Sequence, residues 1–421
     1  CVIGSLDRLK QPDHLESLLQ AEPWDLVIFD EGHRLSRRQY GLKYESSERY
    51  DLAKALRSRT EHMLLLSATP HQGMQDKFVA LLELLRPERR EELEMLSLKP
   101  EILRDMVYRN HKADVTDADG RFIFEGKITS ALRVSSSQES IDFDQTLQHY
   151  LRKGYAAGEA LGQTGNAIGF VMTVYRKLAV SSAAAIHQAL RNRLQRLLDA
   201  FGGDTMPSAP NDQRYVGEWE EQVSGEAEEF FAGEIQLLKQ LIDDAALLMA
   251  NDLKLTEFLD KVIGAINAKN PEEKVLIFTE YRTTQRYLKD ALAARFGEDK
   301  VALINGSMQH VERREAIAQF ETQGRFLIST EAGGEGINLQ RQCHMMVNYD
   351  LPWNPMRLVQ RIGRLYRYGQ KMKVVVFNIQ QSDSLDQEIV DLMYQRIDSV
   401  VDDLAEVQHH EFNEGLKDEI L

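Results

Sequence analysis

The sequence predicts an α/β fold with two parallel-sheet lobes and a helical segment between them. Three observations lead there. Between residues 275 and 377, short aliphatic runs alternate with helix-length amphipathic stretches, the pattern of a doubly wound parallel sheet. Near the N-terminus another apolar run, Leu26-Val-Ile-Phe29, ends in the acids Asp30 and Glu31. Open α/β sheets bind ligands at the C-terminal edges of such strands. From Gln145 the apolar spacing becomes helical, and Ala167–Leu198 is rich in Ala, Leu and Arg without proline.

Bulk properties narrow the class. A chain of 421 residues can bury two or three cores. Its net charge of −15 excludes a uniformly basic surface, so any nucleic-acid contact must come from a local patch. Two cysteines, Cys1 and Cys343, supply neither a disulfide framework nor a metal cluster. No apolar run reaches membrane-span length and no signal peptide is visible, so a cytoplasmic protein with no membrane partner is expected. The chain opens Cys1-Val-Ile-Gly-Ser5, within a strand or turn and without methionine. It reads as the C-terminal part of a longer polypeptide.

In chain order, Asp25–Phe29 is expected to be a central strand buried on both faces. Asp30 at its end can hold Mg²⁺, through water because that ion keeps much of its hydration shell. Glu31 can orient or deprotonate an attacking water. The plainer alternative is a strand followed by an acidic helix start. Met63–Leu66 is a second strand, followed by Ser67-Ala-Thr69-Pro70; taken by themselves, these hydroxyls favour capping the next helix. That helix lies within His71–Pro87. Ile128–Val134 alternates like a strand. Lys153, Arg176, Lys177, Arg191, Arg193 and Arg196 either pack or line a phosphate track. Residues 201–210 carry loop chemistry, and Gly217–Glu234 is an acidic connector.

In the second lobe the predicted strands are 275–278, 301–304, 326–329, 345–347 and 374–377, with helices near 282–296, 309–322 and 355–368. Gln360–Gln370 carries the densest signal. At helical spacing Leu358, Ile362 and Leu365 form an apolar stripe, while Arg357, Arg361, Arg364 and Lys371 fall on another face. Arg357–Lys373 contains no acid. That describes either a basic surface helix or a face aimed at polyanions. Arg364 and Arg367, three apart, can deliver guanidinium forks to a phosphate gaining charge. A further brace helix is expected over Leu385–Val407.

Gln360-Arg361-x-Gly363-Arg364-x-x-Arg367-x-Gly369-Gln370 resembles the sixth motif of superfamily-two helicases, in its Swi/Snf form. Asp30-Glu31-Gly32-His33 is similar to the second motif and Ser67-Ala-Thr69-Pro70 to the third, reversing the preference for capping. Lys274–Tyr281 resembles the fourth motif, and Asn305-Gly306-Ser307 with Arg313-Arg314 an adjacent signature. Ser329–Gln340 resembles the fifth. Its Gly333-Gly334-Glu335-Gly336 is similar to the bacterial branch of RapA proteins and phage-defence ATPases. Arg109–Val115 resembles the basic segment after the first lobe, and Trp353-Asn354-Pro355 matches the sequence before motif six.

The resemblance implies two RecA-like lobes with a helical protrusion between them. The first lobe ends at residue 110, helices and linker fill 111–250, the second lobe spans 251–382, and a brace helix and tail occupy 383–421. It implies ATP and Mg²⁺ as cofactors, with Asp30, Glu31, Arg364 and Arg367 catalytic. His33, Ser67, Thr69, Gly334, Gly336 and Gln360 would bind or couple ATP. Thr279, Ser307, Arg314, Ser329, Thr330, Asn338 and Trp353 would meet nucleic acid. The family's phosphate loop, G-x-x-x-x-G-K-[ST], does not occur in the sequence. It is expected upstream of Cys1, so this piece alone is expected not to hydrolyse ATP. The implied activity of the intact polypeptide is ATP-driven translocation on double-stranded DNA, in a multi-component system such as anti-phage defence. A strand-separating helicase, an RNA-directed ATPase and a non-catalytic binding clamp are the alternatives.

Overall fold

The computed structural model describes residues 1–40, 43–68, 70–71, 74–108, 115–161, 165–199, 228–331, 333–334 and 336–381. The predicted segments at 109–114, 217–227 and 383–421 lie outside the described residues. Two compact units emerge: Cys1–Val115 with Trp353–Gln360, and Thr116–Pro352 with Arg361–Gln381.

The first unit contains α1 (Leu6–Leu9), α2 (Pro12–Gln20), β1 (Trp24–Phe29), β2 (Arg37–Tyr40), β3 (Lys43–Ser46), α3 (Glu48–Arg57), β4 (Thr60–Leu65), α4 (Gln75–Leu85) and α5 (Arg90–Leu93). The chain reaches α1 without an initial strand; Ser5 caps that helix by accepting from the Arg8 amide. β1 and β4 pair in parallel, Phe29 beside Leu65. Phe29 packs with Leu52, Ala53 and Leu56 of α3 and with Ala80, Leu81 and Leu84 of α4.

Among the described residues, only one face of this sheet is covered. Leu26 and Ile28 are 51% and 52% exposed. The expected strand buried on both faces is therefore corrected to one that alternates in and out. Among the described residues, β1 and β4 form a two-stranded sheet whose helices pack on one side.

The second unit contains β5 (Lys127–Val134), α6 (Gln138–Ala160), α7 (Asn166–Ser181), α8 (Ala183–Asp199), α9 (Glu234–Ala250), α10 (Leu253–Glu257), a π-helical turn (Phe258–Ile263) and α11 (Gly264–Lys269). It continues through β6 (Val275–Thr279), α12 (Arg282–Phe296), β7 (Val301–Ile304), α13 (His310–Thr322), β8 (Phe326–Thr330), β9 (Met345–Asn348) and β10 (Val374–Gln381). The sheet order is β5-β10-β9-β6-β8-β7, and every neighbouring pair is parallel. β6 and β8 are buried along their whole length. Successive side chains leave opposite faces: Ile277 and Ile328 enter one core cluster, Leu276 and Leu327 another. β5 extends this sheet back to Lys127, ahead of the expected boundary at residue 251.

Ala167–Leu198 is divided into α7 and α8 by an extended Ser182, φ −162° and ψ 154°. The Ser182 hydroxyl then caps α8 by accepting from the Ala185 amide at 3.1 Å. Arg193 of α8 is wholly buried and paired at 2.9 Å with the equally buried Glu234 of α9. Arg193 therefore leaves the predicted phosphate track: helix packing turns its guanidinium inward. A last helix, α14 (Pro355–Ile362), is shorter than the expected 355–368. Turns follow from Gly363, and Gly369 has φ +91°.

Candidate nucleotide site and arginine segment

In the first unit, β1 delivers Asp30 and Glu31 to an exposed turn. Glu31 has φ 52° and ψ 46°, the left-handed region, and is the non-glycine residue with positive φ among those described. A side chain held there stores strain of about 1–3 kcal/mol, which the surroundings must offset. They do so through the neighbouring strand ends: the Gly32 amide donates to the Leu66 carbonyl and the Leu66 amide to that of Phe29, both at 2.8 Å. Asp30 Oδ1 accepts from the Glu31 amide at 2.9 Å.

His33 Nδ1 lies 3.2 Å from the Glu31 carboxylate and 3.0 Å from the Ser67 hydroxyl. Burial, with help from the Arg34 charge, lowers the His33 pKa to about 4; Asp30 opposes the shift. The imidazole is thus neutral at neutral pH, so its Nδ1 contact with Glu31 is not an ion pair. Placing the single ring proton on Nδ1 leaves Nε2 as an acceptor. The Gln360 side-chain amide approaches that atom at 3.5 Å. Asp30, Glu31, His33, Ser67 and Gln360 are therefore brought together within one unit, while Thr69 lies outside the described residues.

In the second unit a tight turn follows β8. Gly334 donates its amide to the Thr330 carbonyl at 2.9 Å, and Gly333 to the Thr330 hydroxyl at 3.3 Å. A Cβ on Gly333 would stand 2.4 Å from the Ile304 carbonyl oxygen, so backbone approach itself demands glycine. Gly336 has φ +78°. Glu335 is outside the described residues.

Three predicted nucleic-acid contacts are corrected here. Thr279, Ser329 and Thr330 are fully buried. Thr279 donates to Asp350 at 2.6 Å and Ser329 to the Thr330 carbonyl at 2.9 Å. They end strands covered on both faces, so their hydroxyls serve the protein interior. Ser307 and Arg314 are exposed, Asn338 is exposed, and Trp353 is half-buried.

Arg364 and Arg367 follow α14 in the turn segment, so the predicted projection from consecutive helical turns is replaced by loop geometry. Both are half-buried. Arg367 donates to the Asn338 side chain and, at 3.5 Å, to the Ile337 carbonyl, uniting two predicted site residues. Arg361, predicted on the polyanion-facing side, is 1% exposed. Its Nε donates to Glu331 at 2.8 Å, and its Nη1 to Asn348 at 3.3 Å and to the Asp350 carbonyl at 3.0 Å.

Asp350 went unnoticed in the sequence. A signal was present: it follows the buried strand β9, as Asp30 follows β1.

Two α/β units carrying these ordered segments define a helicase-like ATPase. Residues 1–115 match the SNF2-related domain and residues 254–369 the helicase conserved C-terminal domain, together more than half of the chain. The chain belongs to the superfamily-two, Swi/Snf-type helicase-like ATPases.

Among its relatives, the uncharacterized ATP-dependent helicase YqhH of Bacillus subtilis is 28% identical over 438 residues, covering 99% of this chain and 67% of that protein. The RNA polymerase-associated protein RapA of Pseudomonas putida is 28% identical over 374 residues, covering 87% of this chain and 35% of that one. The chain thus spans about two thirds of the first relative and about one third of the second. The Pyrococcus furiosus Hef helicase domain superposes with a TM-score of 0.49 at 15% identity, covering 92% of this chain and 77% of that structure. Among the described residues, no helix is long and apolar enough to cross a membrane.

Proposed function

We propose that this chain serves a cytoplasmic, ATP-driven translocase that moves on double-stranded DNA and displaces bound proteins within a multi-component system such as phage defence. ATP use follows from the family and from the name of the Bacillus subtilis relative. The observation that carries the reading is Glu31. Its carboxylate is exposed, yet its backbone is held in a left-handed turn and its side chain lies against a neutral imidazole. A carboxylate so placed is an exposed acceptor whose backbone is fixed, as a group that orients or deprotonates an attacking water must be.

Asp30 fits Mg²⁺ as far as one exposed carboxylate can. Among the described residues no group of three His, Cys, Asp or Glu could hold a metal. Mg²⁺ accepts one or two carboxylates, with water and substrate phosphates as its other ligands. When bound, it would neutralise phosphate charge. Arg364 and Arg367 are assigned to the transferring phosphoryl group, where arginine fingers contribute on the order of a thousandfold or more. Gln360, His33, Ser67 and the Gly334–Gly336 turn are assigned to coupling and nucleotide contact. Ser307, Arg314, Asn338 and Trp353 are assigned to the DNA backbone, with salt-sensitive and sequence-indifferent binding.

The test is ATP turnover by the full-length protein with duplex DNA, single-stranded DNA and RNA, each beside Glu31→Gln. Stimulation by duplex DNA that Glu31→Gln abolishes supports the proposal. Preferential stimulation by RNA or single strands assigns a different track. DNA binding and biological activity unchanged by Glu31→Gln describe a clamp and refute a motor.

A further inference from the structure

One buried carboxylate in the second unit links segments far apart in sequence. Asp350 Oδ2 accepts from Ser181 Oγ at 2.6 Å, from Thr279 Oγ1 at 2.6 Å and from the Glu280 amide at 3.1 Å. Its Oδ1 accepts from the same amide at 2.9 Å and stands 3.8 Å from Arg361 Nη2. Asp350 is 3% exposed. A charge so desolvated stays only where several donors and a cation compensate it, so their positions are tightly coupled.

These partners come from three places. Thr279 ends β6 and Glu280 follows it, and both donate to the carboxylate, as does Ser181, which ends α7 of the helical insertion; Arg361, in the arginine segment, faces the carboxylate as a charge and donates to the Asp350 backbone carbonyl. Around Ser181 the contacts continue inward. Thr284 lies 2.8 Å from the Ser181 hydroxyl and 2.7 Å from that of Ser182. Lys254 donates to the Val180 and Ser181 carbonyls at 2.9 and 3.1 Å. The place where α7 breaks into α8 is thus tied at one end to a buried lysine and at the other to Asp350.

We propose that Asp350 is a positioning residue, coupling the α7–α8 joint of the insertion to Arg361 and thereby to the turn bearing Arg364 and Arg367. This deepens the motor reading and rests on it. The insertion's exposed cations, Arg152, Lys153 and Arg191, face solvent where a polynucleotide can meet them. A shift at Ser181–Ser182 alters the donor set of Asp350. Arg361 is held by that residue's carbonyl as well as its charge, so it moves in response.

Ser181→Ala in the full-length protein tests the coupling. It removes one donor, leaves Thr279 and the Glu280 amide in place and touches no residue assigned to ATP or DNA. The expected result is unchanged basal turnover and KM for ATP, with polynucleotide stimulation of kcat reduced about tenfold. Amide hydrogen exchange should be faster at residues 361–367. Ser181→Thr, which keeps the donor, should restore both. Wild-type stimulation and exchange in a folded Ser181→Ala protein overturn the proposal. If Ser181→Ala fails to fold, Thr279→Val, which takes a different donor from Asp350 and leaves Ser181 in place, decides through the same exchange measurement. Wild-type exchange at 361–367 in that variant overturns the proposal. Absence of ATP turnover with every polynucleotide strikes the motor reading instead, while the exchange measurement, which needs no turnover, still decides the coupling.

Discussion

Replacing Arg193 and Glu234 singly and together measures what holds the helical insertion closed. The pair is wholly buried. Glu234 accepts from Arg193 Nε at 2.9 Å and Nη2 at 2.9 Å, from the Tyr150 hydroxyl at 2.7 Å and from the Phe230 amide at 2.6 Å. Arg193 also donates to the Glu228 carbonyl at 2.7 Å and lies 3.6 Å above the Phe230 ring. Glu234→Leu removes the carboxylate that compensates the buried guanidinium. Removing one partner of a buried pair costs about 3–5 kcal/mol, and this variant belongs at the upper end. Arg193→Met leaves the carboxylate two strong donors, so its cost is expected near the lower end, about 3 kcal/mol. The double variant removes both charges and takes partners from the Tyr150 hydroxyl, the Phe230 amide and the Glu228 carbonyl, about 1–3 kcal/mol for each one left buried and unpaired. Urea unfolding followed by circular dichroism, with hydrogen exchange at α8 and α9, gives the cycle. A double variant less destabilised than the sum of the two single ones is expected. Additive losses would refute the reasoning, because two independent contacts cannot rescue each other.

Three further outcomes follow from the same structure. Gly333→Ala should lower stability by about 1–3 kcal/mol, seen as a lower urea midpoint, since its Cβ meets the immovable backbone of Ile304. Lys254→Met should lower stability by about 1–3 kcal/mol per orphaned acceptor, because it leaves the Val180 and Ser181 carbonyls unpaired inside the protein; Lys254→Arg, too large for the site, should not restore it. The His33 pKa is lowered to about 4 in the folded state, so the unfolded chain binds the extra proton first as pH falls. Stability from this group is complete above about pH 6.5 and is lost as pH falls toward 4, in total on the order of 3 kcal/mol. His33→Asn should flatten that part of the stability–pH curve, and an unchanged slope would remove His33 as its source.

The second unit's sheet was legible because its strands are apolar without interruption. Such runs fit only an environment closed on both faces, and β6 and β8 are found in one. At β1, among the described residues, an equally apolar run is covered on one side alone. An uninterrupted run does not reveal which alternate residues face helices. The glycines after β8 and the acids after β1 were readable because turn chemistry is local.

Burial of individual polar side chains was not. Thr279, Ser329 and Arg361 carry polar groups that suit a phosphate as well as an interior partner. For Thr279 and Arg361 those partners, Asp350 and Glu331, are fixed only by the tertiary fold. Arg193 shows the same limit: its counter-charge lies forty-one residues away on another helix.

The turn at Glu31 sets conformational ease against chemistry at a single residue. Glycine would occupy that left-handed backbone more comfortably than glutamate. A search for hardier versions of this protein would accordingly select Glu31→Gly and discard the carboxylate with it. With the role proposed for Glu31, robustness and turnover pull in opposite directions there, and engineering for the first should hold this position fixed.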